Sequence, residues 1–363
     1  MVHSAPWMAH SHSRFRGRIR PAGIPLRVAS AVLIVAAAYA AVAAAGGAPL
    51  RAYWIPLSAM TSPASIQRAI ASAASGGFDA VIAPLALGQR SDADPFDAGA
   101  EFLRHAHERG LAAHLSVVVN AAVAVGELPA SRDHVIYQHP EWLMVPRQLA
   151  AEMLKIDLRS PAYLGQIARW TRANAGRVDG LYVSPLDPAA ASYLVSAVAA
   201  AAGRYAVDGV YLESVAFPGE DFDYSRRALD LFRARVRPSL SSTERARLDE
   251  VEAIDPFAYP EEFPERWREF RESALTDVLE RVRMALTAVR PAVSIAAAVG
   301  ADADASQLEH FQTWRTWLAR GIVDRVGYRS ESTGAVLLSP DGVFASTPER
   351  LPTAQAAGTG GPR

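Results

Sequence analysis

The chain has 363 residues, half of them hydrophobic and 21% charged, a balance that excludes a disordered or collagen-like polymer and a multispanning membrane protein. It has no cysteine, which removes disulfides, thiolate zinc sites, iron–sulfur clusters, thiol nucleophiles and lipid-modified N-terminal cysteines. The net charge is −1; Arg14, Arg16, Arg18, Arg20 and Arg27, with no acid among the first 45 residues, leave −6 on the remainder, a poor surface for nucleic acid.

Those arginines precede an uncharged run, Val28–Ala45, followed by Gly46, Gly47 and Pro49. A basic flank, an apolar stretch and small residues at Ala43 and Ala45 form the pattern of a cleavable export signal over residues 1–45. About 18 apolar residues are also just enough to cross a bilayer, so a retained N-terminal anchor is the alternative. Either way the expected location is periplasmic or in the cell envelope, with any membrane association made through this segment. His3, His10 and His12 belong to this leader and are set aside as metal ligands.

From Leu50 onward, short apolar runs alternate with helical patterns, the signature of βαβ units on a parallel sheet. Arg51–Leu57 reads as a strand. Ser62 caps a helix with Pro63 at its first position and Ile66, Ala69, Ile70 and Ala73 on one face, ending at Gly76 and Gly77. A strand at Ala80–Pro84, a helix at Gly99–Arg109 and the uninterrupted apolar strand Ala112–Val119 complete the clearest βαβ stretch. Further strands are expected at Gly180–Ser184 and Val210–Glu213, with a helix from about Ala189 to Gly203 between them. A long connection from Ser214 to about Pro264 contains a charged helix near Arg226–Arg237. The helix Trp267–Val289 feeds the strand Val293–Val299; Ser306 and Glu309 suggest a capping box for a helix ending before Gly321, and Val323–Tyr328 is the next strand. Between Arg329 and Thr333 there is no room for a crossover helix of a dozen residues. Gly334–Ser346 is the candidate closing strand and its turn; either the strand count is off or a βα unit has been lost, and a loss would leave the barrel incomplete at the C-terminal end. The domains are thus a leader over 1–45, one α/β barrel of TIM (β/α)8 type with long loops over 46–347, and a disordered tail over 348–363.

Several segments together resemble the glycosyl hydrolase-like family 10 domain, a TIM-barrel family of exported bacterial proteins. The strongest is Arg204–Ser225, RYAVDGVYLESVAFPGEDFDYS, similar to that family's Tyr-x-Val-Asp-Gly-Ile-His-Leu-Asp followed by a Tyr-Pro or Phe-Pro turn. AHERGLAAHLSVVVN (Ala106–Asn120), HPEW (His139–Trp142), WREFR (Trp267–Arg271) and RPAVSIAAAV (Arg290–Val299) support it by their order and spacing. The resemblance implies an envelope-located barrel acting on glycans, with cell-wall glycan strands as the substrate class.

Glycoside hydrolysis usually needs two carboxylates flanking the scissile bond. Glu213, at the C-terminal end of its strand, stands where barrel enzymes build active sites and occupies the position of the family's acidic residue; Asp208, at the other end, reads as structural. Many family members have two consecutive aspartates where this chain has Glu213 and Ser214, so the partner acid is open. Asp302 and Asp221 are the leading candidates, alongside Asp92, Asp94, Glu141, Asp187, Glu220 and Asp223. Stacking or hydrogen bonding to sugar is assigned to Trp54, Trp142, Tyr211, Tyr224 and Tyr328, with Phe217 a further ring, Asn120 just after the third strand, and His114 within it, where a core histidine is the commoner reading and the family resemblance points toward the site. Trp267, Trp314 and Trp317 sit at helical spacing and read as core. No His-x-x-x-His pattern exists, and His105 and His107 fall on different helix faces, so neither a metal nor a cofactor is expected. The leading expectation is a hydrolase of envelope polysaccharide, with peptidoglycan strands as a candidate substrate; a non-catalytic glycan-binding barrel with a degraded acid pair is the alternative, and an export-linked scaffold with no sugar ligand the third.

Overall fold

The computed structural model describes residues 48–84, 96–126, 128–330 and 333–344. The basic leader, the loop bearing Asp92 and Asp94, and the tail lie outside the described residues. Among the described residues no helix is long and apolar enough to cross a membrane. Nine strands form among them: β1 (Leu50–Trp54), β2 (Ala80–Pro84), β3 (Ala112–Val118), β4 (Ala121–Ala124), β5 (Gly180–Tyr182), β6 (Gly209–Glu213), β7 (Ser294–Ala298), β8 (Arg325–Arg329) and β9 (Ala335–Ser339). Seven of these close a barrel in the order β1-β2-β3-β6-β7-β8-β9, and the α/β barrel class is therefore what the chain adopts.

Two features depart from the expected eightfold alternation. First, β9 follows β8 closely in the chain, runs antiparallel to it, and pairs antiparallel with β1 on its other side, Leu50 opposite Leu338 and Tyr53 opposite Ala335. The missing crossover thus does not open the barrel, because an antiparallel neighbour needs only a hairpin whereas a parallel one needs a dozen residues or more. Second, β5 is absent from the barrel wall. Here β3 pairs directly with β6, while β5 lies antiparallel to β4 in a two-stranded ribbon continuing from the top of β3.

The bottom of the barrel is lashed by aspartates that immediately precede strands. Asp79 accepts the Arg51 amide at 2.8 Å, Asp208 the Ala113 amide at 2.8 Å, and Asp324 the Ile295 amide at 2.8 Å. Each reaches the N–H at the start of the neighbouring strand, which that strand's own ladder leaves unpaired. Asp208 also holds His107 Nε2 at 2.8 Å.

Inside the barrel, small residues make room for a few large ones. Ala52, Ala80, Ile82, Ala296, Val336 and Leu338 surround the fully buried Tyr211, and Gly327 is bare beneath it, since a Cβ there would come within 2.4 Å of the Tyr211 ring. Lower down, His114 fills the space that Gly209 leaves, at 2.4 Å from where a Cβ would stand. The outer face of the sheet is covered by amphipathic helices. Pro63–Ser75 is capped by a reciprocal Ser62–Ser65 box and buries Ile66, Ile70 and Ala73; the long helix Pro264–Val289 buries Trp267, Phe270, Ala274, Val278 and Val282. The expected Ser306 box does not form. Helix Ala303–His310 starts earlier, capped by Asp302, and Ser306 lies within it, donating to the Asp302 carbonyl at 2.6 Å. The aspartate side chain reaches two amides of the first turn, which the hydroxyl one turn later cannot.

Candidate active site

At the C-terminal mouth of the barrel the inward-pointing residues of the last strand rungs meet. Alternation along β6 places Tyr211 and Glu213 inside, with Leu212 packed outward in the helix-facing core. Ser116 lies on the adjacent β3 between the outward-packed Leu115 and Val117, and donates its hydroxyl to Glu213 Oε1. From β8, Arg329 brings Nη1 to 3.8 Å from Glu213 Oε2 and lays its guanidinium 4.4 Å over the Trp54 ring of β1. Trp54 in turn meets Tyr211 edge-on at 6.3 Å, so a ring floor lies under the carboxylate.

Glu213 keeps 20% of its side chain exposed. Burial pushes its carboxyl above the ordinary value of 4.5, against the Ser116 hydrogen bond and the Arg329 charge, which both favour the anion. It opens into a cleft of about 490 Å³ whose walls are Leu57 and Pro84, Ser116 and Val118, the ribbon residues Ala121–Ala124, Asp179 and Gly180, and Ser214. Ser214 turns the chain off the strand end at φ +53°, a left-handed conformation costing a non-glycine residue about 1 kcal/mol or more. Asn120 fastens this turn from the other side, donating to the Ala216 carbonyl at 2.8 Å.

The structure therefore brings Glu213, Trp54 and Tyr211 together, with Asn120 bracing the turn behind them. It disperses the other assigned residues. Asp302 spends its carboxylate on the Asp304 and Ala305 amides as a helix cap. Asp221 pairs with Arg177 at 3.3 Å outside the Glu213 cleft. Asp223 is fully buried, accepting the Val145 and Ser225 amides at 2.8 Å each. Asp187 caps helix Pro188–Gly203 and pairs with Arg227 at 2.7 Å. His114 lies at the barrel bottom near Asp208 and Arg325, where burial pulls its pKa down to about 4. Tyr224 packs on Trp267 and Phe257 at 5.4 and 5.7 Å, Phe217 on Phe311, and Tyr328 faces outward toward Phe344 at 6.1 Å. Trp142 stacks on His139 at 3.7 Å and borders a separate cleft of about 500 Å³ with Glu141, Arg226 and Asp230.

A carboxylate absent from those sequence assignments enters the cleft instead. Asp179 precedes β5, is exposed, and accepts the Tyr182 hydroxyl at 2.6 Å; that hydroxyl also meets the Ser214 side chain. The available signal was the pentapeptide Val178–Tyr182, Val-Asp-Gly-Leu-Tyr, which repeats Val207–Tyr211, Val-Asp-Gly-Val-Tyr.

The protein is thus a closed α/β barrel with a half-buried carboxylate at the C-terminal mouth of its wall, the end where barrel enzymes build their active sites. Residues 141–333, more than half of the chain, match Glycosyl hydrolase-like 10, and the chain belongs to that family. No curated protein matches it. Among solved structures it is similar to the PgaB (BpsB) glycoside hydrolase domain from Bordetella bronchiseptica, at 13% identity over 77% of this chain and 74% of that one, with a TM-score of 0.47. It is also similar to a beta-galactosidase from Bacillus circulans sp. alkalophilus (12% identity, 74% and 38% covered, TM-score 0.44). A third is alpha-L-fucosidase isoenzyme 2 from Paenibacillus thiaminolyticus (15%, 65% and 29%, TM-score 0.39).

Proposed function

We propose that this protein hydrolyses glycosidic bonds of a bacterial envelope glycan, peptidoglycan strands being the leading substrate, and that Glu213 is its catalytic acid. The observation that carries the reading is Glu213 itself: a carboxyl at the barrel mouth, held by Ser116, bordering an open cleft, with burial favouring its protonated form. A carboxyl that keeps its proton at higher pH than usual suits protonation of a leaving-group oxygen. The basic leader and apolar run of residues 1–45 support export to the periplasm or envelope, either with cleavage near Gly46 or with retention as an anchor, and residues 46–347 form the working barrel.

The test is Glu213→Gln assayed on purified cell-wall glycan strands. Turnover is expected to fall about 10²–10⁴-fold, the usual worth of a positioned acid or base. Melting temperature at neutral pH should stay level or rise, because the ionised carboxylate costs the folded state something at every pH above about 4.5, its ordinary value. Below that pH the wild type is protonated in both states and the advantage of the variant should vanish. Wild-type turnover in the variant rejects the assignment.

Ser214 favours a second reading, since it stands where many relatives have a second acid: a barrel that binds glycan without cutting it. That reading expects saturable binding of the same strands with no release of new reducing ends by the wild type.

A further inference from the structure

We infer that Asp179 is the second catalytic carboxylate of the cleft, the base that activates water opposite Glu213. This assignment rests on the hydrolase reading and supplies the acid that Ser214 lacks.

Three observations carry it. Asp179 and Glu213 border the same 490 Å³ cleft, one beside the β4–β5 ribbon and one on the barrel wall. Asp179 is also the exception among the aspartates that precede strands. Asp79, Asp208 and Asp324 each spend an oxygen on a backbone amide of the neighbouring strand that precedes theirs in the barrel. The Asp179 side chain, among the described residues, accepts only the Tyr182 hydroxyl, leaving Oδ2 available to a ligand. Finally, Asp179 and Tyr182 border a second depression of about 340 Å³ lined by Arg177, His310 and Gln312. A chain of sugar units laid from the cleft into that depression passes directly by Asp179.

The Tyr182 hydroxyl that Asp179 accepts also meets the side chain of Ser214, the residue that follows Glu213. In an inverting hydrolase such a base and acid stand about 6.5–9.5 Å apart with the attacking water between them. Asp179 takes a proton from that water as the water oxygen bonds to the anomeric carbon. The bond from that carbon to the bridging oxygen breaks, and its electron pair takes the proton of Glu213. One water is consumed, and solvent then returns a proton to Glu213 and removes one from Asp179.

The experiment uses the full chain and purified cell-wall glycan strands, with Asp179→Asn, Asp179→Glu and wild type compared for turnover across pH, strand binding and melting temperature, and with the wild-type product anomer read by NMR. Asp179→Asn is expected to lose about 10²–10⁴-fold in kcat and the acid limb of the pH profile, with binding and melting temperature close to wild type. Asp179→Glu should regain part of the rate together with the acid limb, which a merely structural role would not predict. The first product anomer should be inverted. An active wild type with Asp179→Asn within about twofold of it, or with an unchanged acid limb, overturns the assignment while leaving Glu213 and the hydrolase reading intact. Retained configuration overturns the water-activating role. A wild type that cuts no strands removes the hydrolase reading and this assignment with it.

Discussion

Two stretches of this chain, Val178–Tyr182 and Val207–Tyr211, share the pattern Val-Asp-Gly-x-Tyr and do opposite things with it. In the second, Asp208 closes the barrel bottom on the Ala113 amide, Gly209 yields its space to the His114 ring, and Tyr211 fills the barrel centre beneath Glu213. In the first, the strand runs antiparallel to β4 above the barrel. Asp179 faces the cleft, Gly180 yields its space to the Val123 carbonyl, and the Tyr182 hydroxyl holds Asp179. One local sequence thus builds either a fastening or part of a ligand-facing wall, and the neighbour each strand pairs with decides which.

The comparison can be broken most strongly with acid. Burial lowers the pKa of His114 to about 4 from 6.5, so between those values the unfolded chain binds a proton that the folded one refuses. Stability is therefore present above about pH 6.5 and lost as pH falls toward 4, by about 3 kcal/mol from this group. Denaturant unfolding of wild type and His114→Gln over that range checks it, and equal slopes would remove His114 as the cause. Next in size are the two glycines. Gly209→Ala drives a Cβ into the packed His114 ring and should cost about 1–3 kcal/mol of global stability. Gly180→Ala meets a backbone carbonyl of the ribbon, so its effect should appear as loss of turnover and faster amide exchange in β4 and β5, with the barrel's exchange unchanged. The smallest effect separates the aspartates. Although burial raises the Asp208 carboxyl, the Ala113 amide and His107 bring it below the usual value, and Asp208→Asn should cost about 1–2 kcal/mol while sparing turnover. Equal stability losses in Asp208→Asn and Asp179→Asn would erase the distinction drawn between the two stretches.

Much of this organisation is legible without coordinates. The apolar runs at Ala80–Pro84, Ala112–Val118 and Ser294–Ala298 have no other good fate than a wall covered on both faces, and Ser62-Pro63 marks its helix start through local hydrogen bonding alone. Glu213 is legible as the polar end of such a run. The aromatic assignments fared differently. Tyr224 and Tyr328 lie on a loop and near a strand end, and Trp142 ends the short 3-10 helix Pro140–Trp142, yet their rings turn to Trp267, Phe344 and His139, because an exposed-looking aromatic buries its faces wherever a neighbouring ring allows. Asp302 and Asp221 are acids in loops by sequence, but a free helix amide and the nearby Arg177 claim them.

The sequence by itself determined most of the barrel strands and the helices between them, since those follow from periodicity and capping within a few residues, but not the strand and helices between Asn120 and Asp179. It determined too that a carboxylate ends the Val-Asp-Gly-Val-Tyr-Leu strand. Only the tertiary structure decided that β5 leaves the wall, that β9 closes the barrel as an antiparallel neighbour, and that Asp179 rather than a C-terminal loop acid shares the cleft of Glu213. Strand partners are chosen by contacts far apart in the chain, and a strand's own five residues carry no record of which neighbour will supply its hydrogen bonds.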